Sequence, residues 1–351
     1  MKVAIIGTGN SGCAHACKLI QSGHEVNLIK TSTSMHNENF RVIKERGYIE
    51  CVDRTDSCTP TICKPSLITK NIEEGLYGVD VIMVLTQSLQ HRELAPRVSK
   101  YFQDGQLIFF IPGNLGSVIF KKYTSKKVIF VEGESTPYDA RITSPGVVEI
   151  LFMNVRNAVS FYNKSEEVFL SKVDELFGRH KYLRSNIVES ALHNPNLVVH
   201  TVGTIMSANR IEKMAGDFWM YKEAFTSSVW NLINELDKEK MRVIQAYGGN
   251  QAISYLDACK WRNEEDLQQD SLDVFNMYAN TGGPKGPDSL NTRYIYEDVP
   301  MGLCLLENLA IYKKIETPIT SALITIASSL VQREFRSMAY SIDDIIGYIG
   351  V

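Results

Sequence analysis

The chain has 351 residues, 44% of them hydrophobic and 22% charged, with a formal net charge of −3. This is the composition of a soluble globular protein, and the length exceeds what one hydrophobic core usually supports, so two domains are expected. No apolar run reaches the ~18 residues a membrane helix requires, and Lys121-Lys122 with Lys126-Lys127 are too few for a nucleic-acid surface, so neither membrane nor nucleic acid is an expected partner.

The first apolar residues, Lys2 to Ile6, form an expected strand with no cleavage site behind it, which argues against a signal peptide and for a cytoplasmic protein. The strand runs into Gly7-Thr8-Gly9-Asn10-Ser11-Gly12 and then into a helix from Cys13. That G-x-G-x-x-G spacing, in the order strand, loop, helix, builds a site for the pyrophosphate of a dinucleotide. Gly7 permits the tight turn, Gly9 lets backbone approach phosphate, and Gly12 lets the helix pack closely. The free N–H groups of that helix's first turn then face the anion, and Asn10 and Ser11 of the loop are expected cofactor contacts.

A second strand over 24–29 completes a β-α-β unit. Further strands are expected over 80–85, 106–111 and 127–131, with a helix over 91–102. Continuous apolar strands alternating with helices indicate a parallel sheet covered on both faces. The alternating stretch 146–161 reads as added strands at the edge or far side of that sheet. Residues 1–187 are therefore expected to form an α/β, Rossmann-like, doubly wound parallel sheet.

From about Asn186 strands nearly vanish, and residues 188–351 read as an all-α domain. Asn194-Pro195 looks like an N-cap with proline at the first helical position, opening a helix toward Met214. A long helix is expected from Thr226 to Tyr247. Another starts at Thr317-Pro318, with Ile319, Ala322, Leu323, Ile326, Ala327, Leu330 and Val331 on one apolar stripe. Between them, Asn280 to Asp288 holds three glycines and two prolines, a loop of the length that usually serves function or motion. The seven cysteines include no C-x-x-C pair, so free or buried thiols are expected and no metal site.

In this fold an acidic residue closing the second strand would hold the 2′-hydroxyl of an NAD ribose. Here Lys30-Thr31-Ser32 stands there, and a cation with hydroxyl donors favours NADP(H) over NAD(H). The plainer alternative is a Lys30 that points into solvent. No second flavin-related segment is present to favour FAD.

Most histidines have structural explanations: His24, His36, His91 and His180 lie in turns or polar stretches, and His15 packs on the first helix. His193 and His200 fall at the expected domain junction, where an open α/β sheet presents its binding crevice. Val198, Val199 and Val202 flank His200, so a core histidine is the simpler reading on composition. Arg293 offers a planar fork suited to a carboxylate. Asp298, two residues before Pro300, either caps the following helix or orients an imidazole.

The chain resembles the octopine/nopaline (opine) dehydrogenase family over nearly its whole length. The motifs are the glycine loop; Phe110 to Asn114; Glu132-Gly133-Glu134-Ser135-Thr136-Pro137-Tyr138-Asp139-Ala140-Arg141; His193-Asn194-Pro195 through His200; Tyr221 to Thr226; and Thr292-Arg293-Tyr294 through Glu297-Asp298-Val299-Pro300-Met301-Gly302-Leu303. The resemblance implies a nucleotide-binding domain joined to a helical one, and reductive condensation of an amino acid with an α-keto acid through an imine reduced by NAD(P)H. It implies His200 as catalytic histidine, Asp298 as its partner carboxylate and Arg293 as the keto-acid grip. Glu134, Asn114 and Tyr138 are further expected substrate contacts. Thr201 and Met301 depart from the family's usual proline and aromatic, which bears on substrate identity.

Two other readings compete. One is a two-domain reductase of the ketopantoate or glycerol-phosphate type, relying on a lysine such as Lys213 or Lys222. The other is a non-catalytic NADPH sensor. Helical second domains often mediate dimers, which leaves room for a homodimer, although no segment is diagnostic.

Overall fold

The structure is a computed structural model that describes every residue except 179–181, 282, 284, 348, 350 and 351. His180, and Gly282 and Pro284 of the glycine- and proline-rich loop, lie outside the described residues. The chain divides into two compact units, Met1–Tyr182 and Leu183–Val351, against a boundary expected after residue 187.

The first unit is built on strands β1 (Lys2–Ile6), β2 (Glu25–Ile29), β3 (Ile49–Asp53), β4 (Thr61–Cys63), β5 (Leu67–Thr69) and β6 (Val81–Val84). There follow β7 (Leu107–Phe110), β8 (Ile129–Gly133), β9 (Tyr138–Ser144), β10 (Val147–Met153) and β11 (Ala158–Phe161). The short β12 (Tyr182–Leu183) carries the chain from one unit into the other. The main sheet has the order β12-β11-β8-β7-β6-β1-β2-β5, parallel from β8 through β5 and antiparallel where β11 meets β8. Every residue of β6 and β7 is buried, as strands covered on both faces must be. The order reverses at β1, so the crevice above the carboxyl ends of β1 and β6 opens beside the glycine loop.

A second, four-stranded sheet of order β4-β3-β10-β9 was not expected from the sequence. In β3, Ile49, Cys51 and Asp53 are buried while Glu50 and Val52 are half-exposed, and β3 pairs in parallel with β10 from far along the chain. The stretch 146–161 thus splits: β10 joins this second sheet and β11 the main one. The helix Asn10–Gln21 packs against both β2 and the strands β9 and β10. It can be covered on two sides because Gly12, Cys13, Ala14, Ala16 and Cys17 are small, and all of them are buried. His15 is buried there as well, edge-on to Tyr138 and Phe177, with Nδ1 at 2.7 Å from the Ser11 carbonyl.

The second unit is helical. The helix Ser227–Ala246 matches its expected bounds, flanked by Thr226 and Tyr247, and buries Val229, Ile233, Leu236, Lys240, Val243 and Ile244 along one face. The helix expected to run to Met214 is broken at Ser207, whose N–H closes a tighter turn on the Thr204 carbonyl, giving Val199–Met206 and Ala208–Met214. Asn194 caps as expected, accepting from the Asn196 N–H, with Pro195 opening a 3₁₀ turn.

The helix Pro318–Val331 forms as expected but rotates from its apolar stripe. It buries Thr320, Leu323, Ile324 and Ala327, while Ile326 and Leu330 are 45% and 41% exposed. Its N-terminus is held from another helix. Thr317 makes no side-chain cap. The buried Glu239 reaches over from Ser227–Ala246 and accepts from Ile319 N (2.8 Å), Thr320 N (2.9 Å) and Thr320 Oγ1 (2.7 Å). Removing it strands three donors. Glu239→Ala should therefore lower stability by about 2–3 kcal/mol in urea unfolding; a change within ~0.5 kcal/mol would mean that water replaces the carboxylate.

Candidate active site

In the first unit the nucleotide cradle exists because side chains are absent. Gly7 has φ +128°, and a Cβ there would lie 2.7 Å from the Leu85 carbonyl oxygen. A Cβ on Gly12 would lie 2.0 Å from the Gly7 carbonyl oxygen, so only glycine lets the helix approach this closely. The helix opens at Asn10 without a side-chain cap, which leaves its first-turn N–H groups for an anion. The side chains of Asn10 and Ser11 serve the shape of the loop. Asn10 Oδ1 accepts from Ile142 N at 2.9 Å, and Ser11 Oγ lies 3.4 Å from Thr136 Oγ1. The loop thus offers backbone to phosphate, and it fits a dinucleotide.

Lys30, at the end of β2, is 2% exposed and does not point into solvent. Its Nζ donates to Ser32 Oγ at 2.8 Å and to the Met35 carbonyl, so it organises the loop that would surround the adenosine ribose. Burial lowers its pKa, and the Lys70 cation lowers it further. Arg97 Nη2 donates to the Thr31 carbonyl at 3.3 Å, which brings a further cation to this edge.

The other half of the sheet carries the remaining predicted residues. Asn114 is buried and donates to Ser88 Oγ at 3.0 Å, tying the turn after β7 to the segment after β6. Glu134 is 1% exposed, and its N–H donates to the Ala158 carbonyl. The Tyr138 ring is buried against His15, with centroids 4.9 Å apart. Glu132, which sequence reasoning did not single out, is fully buried and bound to the same turn; burial pushes its carboxyl up to about 7 against the opposing pull of Ser117 and Leu115.

In the second unit, His200 projects from Val199–Met206 and Asp298 precedes the π-helix Val299–Cys304. His200 Nδ1 lies 2.7 Å from Asp298 Oδ2, and both residues are buried. Asp298 makes no side-chain cap to the π-helix, so the capping role does not apply. With Nδ1–H donated to the carboxylate, the tautomer is fixed. The Tyr294 ring stacks on the imidazole, 3.6 Å between centroids and 13° between planes. Tyr294 stands in the quoted motif, but nothing in the sequence signals the stack.

Arg293 and Tyr294 open the short helix Arg293–Tyr296, capped by Thr292. Solvent reaches Arg293, although protein atoms ring its guanidinium. Those low-dielectric surroundings lower its pKa, but the Asp298 and Glu297 carboxylates outweigh them and raise it on balance. A fixed cation therefore stands in the electrostatic field of the His200–Asp298 pair. His193 belongs elsewhere: its Nε2 lies 2.7 Å from the Gln251 carbonyl, and burial, with Arg184 and Lys240 nearby, holds its pKa well below the usual value. Lys213 and Lys222 are exposed, the latter over the Trp219 ring, so neither has the buried setting of a reactive lysine.

A doubly wound sheet with a glycine-loop cradle, and a helical unit holding a histidine–aspartate pair beside an arginine, define a two-domain nicotinamide-dependent dehydrogenase. The sequence pattern of the NAD/NADP octopine/nopaline dehydrogenase α-helical domain matches residues 183–331. An opine dehydrogenase of Arthrobacter sp. (strain 1C) is 26% identical over 352 aligned residues, covering 97% of this chain and 94% of the relative. In fold, the chain is similar to an octopine dehydrogenase solved with NADH and agmatine (TM-score 0.76, 19% identity, 100% of this chain and 96% of that one). It is also similar to a yersinopine dehydrogenase solved with NADP+ (TM-score 0.72, 11% identity, 99% and 95%). Residues 183–331 thus match that family's α-helical domain, and the likeness of the whole chain to opine dehydrogenases supports an NAD(P)-dependent oxidoreductase that acts on CH–NH donors.

Gly12→Ala tests the cradle. The added methyl group must push the helix off the Gly7 carbonyl, and NAD(P)H affinity, read by fluorescence titration, should fall by more than about tenfold. Unchanged affinity would place the dinucleotide elsewhere.

Proposed function

We propose that this protein joins an amino acid to an α-keto acid by reductive condensation. The amine and the carbonyl form an imine with loss of water, and reduction yields a secondary amine dicarboxylate. The observation that carries the residue assignment is the 2.7 Å contact between His200 Nδ1 and Asp298 Oδ2, buried and in the field of Arg293. Bound NAD(P)H supplies the hydride to the imine carbon. Arg293 grips the keto-acid carboxylate and so fixes which face of that carbon is presented. His200 Nε2 delivers the proton that leaves the product nitrogen as a neutral secondary amine, and takes that proton back in the oxidative direction. Asp298 holds the ring tautomer and stabilises the imidazolium that forms. Glu134 is the carboxylate we assign to the amino-acid substrate, with Asn114 and Tyr138 shaping its surroundings.

His200→Ala and Asp298→Asn should each lower kcat by ~10²- to 10⁴-fold. The dissociation constant for NAD(P)H should stay unchanged. Parallel loss of cofactor affinity would remove these roles. Arg293→Ala should act on the KM of the keto acid, and an unchanged KM would take it out of the site.

We read the preferred cofactor as NADP(H). No acid closes β2, and the cations Lys30, Lys70 and Arg97 lie at the edge where a 2′-phosphate would sit. Lys30→Asp should shift the NADPH-to-NADH affinity ratio toward NADH by roughly tenfold or more, measured by fluorescence titration of both. A ratio unmoved by the substitution would leave the discrimination to other groups.

A further inference from the structure

The turn that follows β7 is held in a costly shape by one buried group. Asn114 and Leu115 are consecutive non-glycine residues with left-handed backbone, φ 48° and 61°. Such residues persist only where the surroundings over-determine them, and they concentrate at ligand clamps. Here the surroundings are Glu132, from β8. Its Oε2 accepts from Leu115 N at 3.0 Å, and its Oε1 accepts from Ser117 N at 2.9 Å and from Ser117 Oγ at 2.5 Å.

The turn lies flush on this support. A Cβ at Gly113 would lie 2.3 Å from Glu132 Oε2, and one at Gly116 would lie 2.7 Å from Nδ1 of the buried His91. Asn114 in turn donates to Ser88 after β6. The segments after β6 and β7 and the carboxyl end of β8 are therefore locked together through Glu132 and Asn114. Because Lys30 and the β2 end mark the adenosine side of the switch point, the β6–β8 side is where a dinucleotide's other half must lie.

We propose that Glu132 is a positioning residue for the nicotinamide half of the cofactor, setting that surface by clamping the Gly113–Ser117 turn. The proposal rests on the reading of this unit as a nicotinamide dinucleotide site. It does not make Glu132 a catalytic residue. Its carboxylate accepts from donors inside the protein, and its effect passes through the turn. A glutamine cannot replace it, because one end of the amide would present N–H to an N–H donor.

The test separates the two halves of the cofactor. At pH 8, where the Glu132 carboxyl is ionised, NAD(P)H is titrated by fluorescence and ADP-ribose with its 2′-phospho form by calorimetry, on wild type, Glu132→Gln and the milder Ser117→Ala. Glu132→Gln should weaken NAD(P)H by at least about tenfold and Ser117→Ala by less, while both ADP-ribose ligands keep their affinities within about twofold. Equal weakening of all ligands by Ser117→Ala, or no weakening of NAD(P)H by either variant, would overturn the proposal. Wild-type protein that binds ADP-ribose ligands but not NAD(P)H any tighter would sink the nicotinamide assignment itself, and this proposal with it.

Discussion

A carboxylate taken out of water must recover its lost hydration from donors inside the protein, and Asp298 does so chiefly through one imidazole, His200, at 2.7 Å. That requirement organises the helical unit around the pair. Asp298 sits where Glu297, Arg293 and the π-helix after it converge. The π-helix holds Gly302 against Leu197, where a Cβ would come within 3.1 Å of the Leu197 Cα, so the histidine's own segment is seated on the aspartate's. Tyr294 closes the imidazole face by stacking. The ring can therefore neither rotate nor change tautomer without breaking a buried charge-assisted bond.

The α/β unit is governed by the opposite device. Its binding edge depends on atoms that are missing: the Cβ positions of Gly7 and Gly12 in the phosphate loop, and of Gly113 and Gly116 in the turn after β7, would all meet other atoms at 2.8 Å or less. Backbone can then approach backbone, and the helix Asn10–Gln21 can lie pinned between two sheets. Lys30 belongs to the same economy of space. Buried and bonded within its own loop, it shapes the β2 edge before any ligand arrives.

The sequence made some of this readable and hid the rest for physical reasons. Strands β6 and β7 are unbroken apolar runs because both faces are covered, so they could be found within a residue or two. The helix Ser227–Ala246 was equally plain, having a strong period and clear ends. The second sheet was hidden because β3, β9 and β10 carry Glu50, Asp139, Arg141 and Glu149 on open faces, and because β3 and β10 pair across a long stretch of chain. The break at Ser207 does not disturb the apolar pattern, and the cap on Pro318–Val331 comes from a distant glutamate. Chemistry followed the same rule. His200 stands out by its place at the expected domain junction, Arg293 by its planar fork and Asp298 as either a cap or an imidazole partner, but only the family resemblance joins the three in one site; composition around His200 favours a core histidine. Glu132 is invisible by pattern, since one acid in an apolar strand announces neither its partners nor its role.

The central claim is that two substrates, an amine and a keto acid, are joined before reduction. It is tested most directly by following NADPH and NADH oxidation by the purified protein against amino acids crossed with pyruvate, glyoxylate and 2-oxoglutarate. The account predicts oxidation only in wells holding both partners, with the secondary amine dicarboxylate as product. Oxidation with a keto acid alone, giving a hydroxy acid, would contradict it, as would oxidation in no well by protein that binds the cofactor.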